Sequence, residues 1–151
     1  CGGCILSDIQ YFTGSQVGTT LGQQTVGYVR SNPDTNYIFS PFDPAAAAQV
    51  TALKLANLGD QVKVVSVLGN QQNVDFIRNG QIQAADAAYD NRYMGFAIVD
   101  QLVRLLNGQE LFEPRGENLP YIVLDKDNIP AAGQDWVADF DYETSFYGLW
   151  K

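Results

Sequence analysis

Three consecutive stretches between Tyr37 and Leu106 repeat one pattern: a short apolar run, a turn and an amphipathic segment. The apolar runs begin at Tyr37, Val62 and Ile82, and the amphipathic segments that follow span 44–58, 72–79 and 93–107. Short apolar strands that alternate with helices form βαβ units around a mainly parallel sheet. The sequence therefore predicts an α/β fold, a three-layer α/β/α sandwich.

In open sheets of this kind, ligands bind beyond the carboxyl ends of the strands. Those ends fall at Phe42-Asp43, at Leu68-Gly69-Asn70 and at Tyr89-Asp90. Phe42 is a candidate ligand contact because a ring between a strand and a helix start is hard to explain by core packing. Asp43 and Asn70 each precede a helix and are expected to cap it, although both remain candidate ligand contacts together with Leu68 and Tyr89.

The remaining elements follow from shorter patterns. Residues 5–8 read as a strand, 16–30 as a helix and 121–124 as a final strand. Gly59, Gly80 and Gly108 are expected at helix C-terminal ends. In the acidic, aromatic tail 135–151, packing is expected to dominate, and one helical face is formed by Phe146, Leu149 and Trp150.

Charge and composition exclude several partners. The net charge is −8 and the nine Lys and Arg residues are scattered, so no nucleic acid is expected to bind. The uncharged stretches are interrupted by Gly, Gln, Thr and Pro, which does not suggest a membrane span. No basic segment followed by an apolar one opens the sequence, so no signal peptide is expected within it, and removal of such a segment or its position upstream stays open.

Catalytic chemistry has little support in the sequence. There is no histidine, and nucleophile-elbow, phosphate-loop and dinucleotide motifs are missing. The acid pairs Asp125/Asp127 and Asp139/Asp141 are the remaining enzymatic option, and such pairs are more often solvated or capping. We therefore expect no enzyme, no cofactor and no metal site.

Cys1 and Cys4 form a single CxxC pair. A zinc site would need two more ligands, and a redox pair is normally placed at a helix start. A lipid anchor on Cys1 is a further alternative. The interpretation that we prefer is a small buried residue near a fragment end.

Several segments together resemble type I periplasmic binding proteins, the sugar receptors of ABC importers, in the ribose-binding branch. They are Val64-Val-Ser-Val-Leu-Gly-Asn, the run from Ile77 to Asp86, the segment from Met94 to Gly108, Tyr121-Ile-Val-Leu-Asp and the tail from Asp141 to Trp150. The resemblance covers nearly the whole sequence.

The resemblance implies that the sequence corresponds to the C-terminal half of a two-lobed protein. Residues 1–90 would then be part of the C-terminal lobe, 91–118 a crossover helix that packs on the N-terminal lobe, and 119–151 the last strand and tail of the C-terminal lobe. Hinge segments are implied near 89–92 and 118–121. Either an N-terminal half or a second chain is expected to complete the fold.

The sequence departs from the family where the sugar is held. Where family members have Asn-Asp, this sequence has Phe42-Asp43, and where they have Phe-Asp-Gly, it has Val67-Leu68-Gly69. The Gln that the family usually has after the next strand falls near Ala88-Tyr89. Tyr11 and Phe12 lie where the family places its stacking aromatic residue. Unpaired buried sugar hydroxyls cost about 1–3 kcal/mol each. A modified or partly apolar sugar is therefore expected.

The resulting prediction is a solute-binding receptor of an ABC importer that closes by a hinge around a sugar-like or aromatic solute and docks on the permease. Its expected location is extracytoplasmic, in the periplasm or as a cell-surface lipoprotein. The main alternative is the effector-binding core of a LacI-type transcription regulator, with a DNA-binding segment upstream. A chemoreceptor-coupled sensor is a third alternative. Arg92 is expected to bind an anionic group or to pair with Asp90.

Overall fold

The structure is a computed structural model that describes residues 2–113 and 116–150. Helices within these ranges are α1 (Gly14–Val17), α2 (Leu21–Ser31), α3 (Asp43–Leu55), α4 (Gln71–Arg78), α5 (Asn91–Leu106) and α6 (Tyr142–Leu149). Strands are β1 (Tyr37–Phe39), β2 (Lys63–Leu68), β3 (Gln83–Tyr89) and β4 (Tyr121–Leu124).

The strands form a single sheet in the order β1-β2-β3-β4. β1 pairs with β2 and β2 with β3 in parallel, whereas β4 runs antiparallel to β3. The mainly parallel α/β fold predicted from the repeated strand–helix pattern is therefore confirmed. Because β4 is antiparallel, its first residue lies at the same edge as the carboxyl ends of β1, β2 and β3.

Helices α2, α3 and α4 pack on one face of this sheet. Val50 and Leu53 of α3 pack with Val29 of α2 and Val64 of β2 in the main cluster. A second cluster joins α4 to β3 and β4 through Val74, Ala88 and Leu124. These side chains are at most 3% exposed, so the apolar positions of the helices and strands account for the core.

The opposite face of the sheet is open to solvent within the described residues. Side chains alternate between the two faces of a strand. Tyr37 and Phe39 of β1 and Tyr121 and Val123 of β4 point to this face, and each is at least 55% exposed. The face is apolar along both outer strands.

The N-terminal predictions were partly wrong. Residues 5–8 form no strand. The Ile5 side chain is 88% exposed, so the described residues do not bury it. The predicted helix 16–30 is two helices, because the chain leaves helical geometry at Gly18. Cys4 is exposed rather than buried and is disulfide-bonded, while Cys1 lies outside the described residues.

Two of the three predicted helix ends are confirmed. Gly80 and Gly108 have φ of +61° and +67° directly after the C-caps of α4 and α5. Gly59 does not end α3. That role is taken by Asn57, whose φ is +56° immediately after the C-cap Ala56, because asparagine tolerates the left-handed conformation.

The aromatic residues of the tail pack, as predicted, and the structure places them on α5. Tyr142 and Phe146 of α6 are buried against Tyr93, and the Trp150 ring stacks on Phe96 with a centroid distance of 5.7 Å. Leu149 is 62% exposed and does not join this face. Among the described residues, none of the helices combines the length and apolarity that crossing a membrane requires.

Candidate functional site

The carboxyl edge of the sheet brings together the predicted site residues of three separate turns. Phe42 follows β1, Asn70 follows β2, and Tyr89 ends β3. Tyr121 begins β4 directly opposite Tyr89 and adds a further aromatic side chain that the sequence did not single out. The edge therefore combines aromatic surface with the exposed amide of Asn70, which suits a ligand with both apolar and polar faces.

Phe12 and Phe42 form a ring pair at this edge. Their centroids are 6.1 Å apart and the ring planes are inclined by 38°. Both side chains are half-buried, whereas Tyr11 is 88% exposed and points away from the core. The structure thus places two of the four predicted N-terminal and edge rings, Phe12 and Phe42, in contact.

The loop Leu68–Asn70 has an unusual backbone. Leu68 has φ of +137° and Gly69 has φ of +81°. A Cβ on residue 69 would lie 2.4 Å from the Cβ of Ala88, so only glycine allows the loop to approach β3 this closely. Asn70 is the N-cap of α4 by position, but its side chain makes no capping hydrogen bond, so the predicted capping role is wrong.

The predicted capping role of Asp43 is also wrong. Phe42 is the N-cap of α3, and Asp43 is its first helical residue. The Asp43 side chain is fully buried, with Oδ1 accepting a hydrogen bond from Ser66 Oγ at 2.5 Å and Oδ2 accepting one from the backbone N–H of Asn70 at 2.6 Å. Asp43 therefore connects the start of α3 to the loop that follows β2.

A buried polar cluster beneath the edge was missed by the sequence analysis. Asp86 of β3 is fully buried, and its Oδ1 accepts a hydrogen bond from the backbone N–H of Gly69 at 3.1 Å. Its Oδ2 lies 3.2 Å from both Ser66 Oγ and Gln83 Nε2. A charged residue at a core position of a mostly apolar strand is the signal that would have identified it.

The pKa of Asp86 is raised from 3.8 to about 7. Burial is the largest cause, followed by hydrogen bonding to Asp43 and repulsion from its charge. The N–H of Gly69 and the hydroxyl of Ser66 oppose the rise without cancelling it. The cluster therefore keeps a proton close to neutral pH.

Asp90 holds the start of α5 and the tail. Its Oδ1 accepts hydrogen bonds from the backbone N–H groups of Arg92 and Tyr93 at 2.9 Å, and its Oδ2 accepts one from Ala138 at 2.9 Å. Arg92 does not pair with Asp90, because its guanidinium lies 2.9 Å from Glu143 Oε1. That part of the Arg92 prediction is wrong.

A second polar cluster lies on α5. Asp100 Oδ2 accepts a hydrogen bond from Arg104 Nε at 2.6 Å, and its Oδ1 accepts one from Trp150 Nε1 at 2.8 Å. Burial raises the pKa of Asp100, but these hydrogen bonds outweigh it and the net pKa is lowered. Burial is also the main cause of the raised pKa of Glu117, which accepts a hydrogen bond from Gln101.

An open hollow of about 740 Å³ lies beside the start of β4. Its walls are formed by Asn118, Leu119, Pro120, Tyr121, Trp136, Ala138, Asp139 and Phe140. The backbone N–H of Asp90 donates to the carbonyl of Pro120 at 3.4 Å in the same region. The two segments at which the resemblance implied hinges, 89–92 and 118–121, are therefore neighbours.

Members of both acid pairs considered for catalysis have local structural roles. Asp141 accepts a hydrogen bond from Thr144 N–H at 3.1 Å and caps α6, and Asp127 pairs with Lys126 in an exposed turn. Within residues 2–113 and 116–150, no three cysteine or carboxylate side chains converge as a metal site would require.

A mainly parallel sheet with aromatic rings and a constrained loop at its carboxyl edge defines an α/β ligand-binding domain. The chain belongs to the periplasmic binding protein domain family, whose model matches residues 7–110. No curated protein sequence matches the chain.

Several solved structures are similar to the chain. An ABC transporter solute binding protein from Agrobacterium vitis with bound D-fucose is 25% identical, with a TM-score of 0.69 over 82% of this chain and 41% of that one. Another from the same organism, with bound allitol, is 20% identical, with a TM-score of 0.69 over 83% and 43%. A sugar ABC transport substrate-binding protein from Bordetella parapertussis is 29% identical, with a TM-score of 0.60 over 75% and 37%. The chain thus spans less than half the length of each structure, and it has the type I periplasmic binding fold.

Proposed function

We propose that this chain forms most of the second lobe of a solute-binding receptor of an ABC importer, and that its carboxyl edge contacts a sugar or modified sugar. The observation that carries the proposal is the Phe12–Phe42 ring pair beside the constrained Leu68–Asn70 loop. Family membership and the solutes named for the similar structures support it.

The chemistry of the edge favours a solute with an apolar face. Aromatic rings stack on the C–H face of a sugar, whereas buried hydroxyls need hydrogen-bonding partners. At this edge the exposed side chain of Asn70 is a polar group that could provide one. The D-fucose named for one similar structure carries a methyl group in place of a hydroxymethyl group, and a deoxy or otherwise modified sugar of this kind would need fewer polar contacts.

Capture would proceed by hinge closure without chemical change, so the protein is not an enzyme and needs no cofactor. The neighbouring segments 89–92 and 118–121 would form the hinge, since β3 ends and β4 begins there in register. A solute that contacts both lobes stabilises the closed form, which the permease would recognise. The location would be extracytoplasmic, because periplasmic binding proteins act there.

The first lobe would cover the apolar surface of α5. Ile98, Leu102 and Leu105 on this helix are each at least 52% exposed. The matched structures are more than twice as long as the part that aligns, which leaves room for such a lobe in a longer protein or a second chain. Residues 91–118 would then belong to the crossover between lobes.

The LacI-type regulator is not favoured. The similar structures named above are described as solute-binding or substrate-binding proteins of ABC transport systems. The upstream sequence distinguishes the two: a signal peptide supports the receptor, and a helix-turn-helix supports the regulator.

A thermal-shift screen of the full-length protein tests the proposal. The panel contains pentoses, hexoses, deoxyhexoses, polyols and aromatic glycosides. A solute at a hundred times its dissociation constant adds about 2.7 kcal/mol to the free energy of unfolding. A selective shift with a deoxy or aromatic sugar supports the proposal, and the absence of any shift across the panel overturns it.

A further inference from the structure

Two carboxyl groups meet in a sealed cluster below the ligand edge. Asp43 and Asp86 come from α3 and β3, and both side chains are 0% exposed. Ser66 Oγ lies between them, 2.5 Å from Asp43 Oδ1 and 3.2 Å from Asp86 Oδ2. Two buried negative charges that face the same hydroxyl group repel each other strongly. One of the carboxyl groups therefore holds a proton over part of the accessible pH range.

Counting hydrogens leads to the same conclusion. Ser66 has one hydroxyl hydrogen, and its oxygen already accepts a hydrogen bond from Gln83 Nε2 at 2.7 Å. If that hydrogen goes to Asp43, the nearer acceptor, Ser66 cannot also donate to Asp86. A proton on Asp86 supplies the missing hydrogen between these oxygens.

The surroundings of the pair are neutral. Asn73 of α4 donates to Gln83 Oε1 at 2.9 Å and to the backbone oxygen of Asp43 at 3.2 Å. β4 places the apolar Leu124 opposite Asp86. Within the described residues, Asp43 is the charged group that faces Asp86. No Lys or Arg side chain of these residues neutralises the negative charge of the pair.

The same two carboxyl groups hold the loop at the ligand edge. Asp86 accepts a hydrogen bond from Gly69 N–H at 3.1 Å, and Asp43 accepts one from Asn70 N–H at 2.6 Å. They fix a loop in which Leu68 has φ of +137°, a conformation that persists only where neighbouring contacts enforce it. A change in the charge of the pair therefore reaches the ligand edge directly.

We propose that Asp43 and Asp86 share one proton that positions the Leu68–Asn70 loop, so that loss of this proton loosens the loop and weakens solute binding. The effect on binding rests on the proposed function, whereas the effect on the loop does not. Asp43 and Asp86 act here as positioning residues, since neither is exposed to a ligand.

The direction of the pH effect follows from the raised pKa of Asp86. Between about pH 4 and pH 7 the folded protein keeps a proton that the unfolded chain has released. The stability that this proton contributes is therefore complete in acid and declines as the pH rises toward the folded-state pKa.

Carbon-13 NMR of the aspartate carboxyl groups tests the shared proton in the unmodified full-length protein. We expect the Asp86 carboxyl resonance to move in the neutral range. Titration of the Asp86 carboxyl group below pH 5 would overturn the proposal. This measurement needs no variant and no solute.

Hydrogen exchange tests the link to the loop. With rates corrected for intrinsic pH dependence, protection of the Gly69 and Asn70 amides should fall about tenfold between pH 6 and pH 8. In Asp86→Asn the side-chain oxygen still accepts from Gly69 and an amide N–H replaces the carboxyl proton toward Ser66, while the Gln83 amide loses its acceptor at this position. Protection in this variant should be independent of pH, because residue 86 no longer titrates. The matched control is Asp60→Asn at an exposed position, which should retain the fall.

A wild-type loop with pH-independent protection, or an equal fall in Asp86→Asn, overturns the proposal. Solute affinity is then measured at both pH values with the best hit of the screen. Weaker solute binding at pH 8 in wild type but not in Asp86→Asn shows that the change in the loop also affects binding. Equal wild-type affinity at both pH values overturns the proposed effect on binding. If no solute binds, the proposed function fails while the exchange result still decides the loop.

Discussion

Asn70 donates its backbone N–H to the carboxyl group of Asp43, 27 positions earlier in the chain, at 2.6 Å. This hydrogen bond joins the start of α3 to the start of α4. Both starts lie at the carboxyl edge of the sheet, so it fixes the relative positions of two candidate ligand-contacting turns. The buried carboxyl group of Asp43 thus has a structural role at the site.

Replacing Asp43 tests that role. Asp43→Ala leaves the Asn70 N–H and the Ser66 hydroxyl without their acceptor, and each unpaired buried group costs about 1–3 kcal/mol. We expect the free energy of unfolding of the full-length protein to fall by about 2 kcal/mol in denaturant titrations. Asp60→Ala, at an exposed position, should have little effect. A loss no greater than that of Asp60→Ala contradicts the role.

Gly69 and Gly80 form a matched pair for the loop. Both have positive φ, but a Cβ at residue 80 meets nothing within 4 Å, whereas one at residue 69 would lie 2.4 Å from the Ala88 Cβ. Gly80→Ala should destabilise by about 1 kcal/mol through backbone conformation alone. Gly69→Ala should cost more in the same unfolding assay and should also lower solute affinity. Equal costs would mean that the loop moves away from β3 without penalty.

Asp90 should contribute more to the stability of the fold than an ordinary helix cap does. It accepts three backbone hydrogen bonds, two at the start of α5 and one from Ala138 in the tail. Asp90→Ala should destabilise by about 2 kcal/mol, at the upper end for cap removal. Asp141→Ala, which removes the exposed cap of α6, is the matched control and should cost about 1 kcal/mol. If Asp90→Ala lowered the free energy of unfolding by no more than Asp141→Ala, the hydrogen bond from Ala138 to Asp90 would not stabilise the tail.

Trp150 should influence stability in acid. The lowered pKa of Asp100 means that its contribution is present above its unfolded-state pKa of 3.8 and is lost as the pH falls toward the folded-state pKa. Trp150→Phe keeps an aromatic ring against Phe96 but removes the hydrogen bond to Asp100. Thermal unfolding between pH 5 and pH 3 should therefore show a smaller acid-dependent loss in Trp150→Phe than in Trp136→Phe. An equal loss in both variants would show that the hydrogen bond from Trp150 does not contribute to the acid dependence due to Asp100.

Much of the fold could be predicted because the apolar pattern is local. The strand–helix alternation from Tyr37 to Leu106 specified the parallel sheet, and Gly80 and Gly108 marked helix ends correctly. The strand predicted at 5–8 failed because strand formation needs a neighbour, which a sequence pattern alone does not supply. The conformation of Leu68 and the burial of Asp86 depend on contacts between distant residues, so neither followed from local sequence.

The positions of the candidate site residues followed from the sequence more closely than their contacts did. Phe12 and Phe42 do lie together at the carboxyl edge, whereas Asp43 faces inward and Asn70 does not cap α4. A helix start is visible in sequence, but the direction of its first side chain depends on which polar groups the next strand presents. Here Ser66 and the backbone N–H of Asn70 attract the Asp43 carboxyl group into the core.

Calorimetric titration of the full-length protein with the best solute of the screen tests the central claim most directly, because it measures whether Phe42 binds that solute. Phe39→Ala is the matched control, since Phe39 is 67% exposed on β1 outside the ring pair. We expect Phe42→Ala to weaken binding by about 0.5–1.5 kcal/mol, the contribution of an aromatic stacking contact, and Phe39→Ala to leave it unchanged. Equal affinity in wild type and Phe42→Ala would contradict the assignment of the carboxyl edge as the solute-binding site.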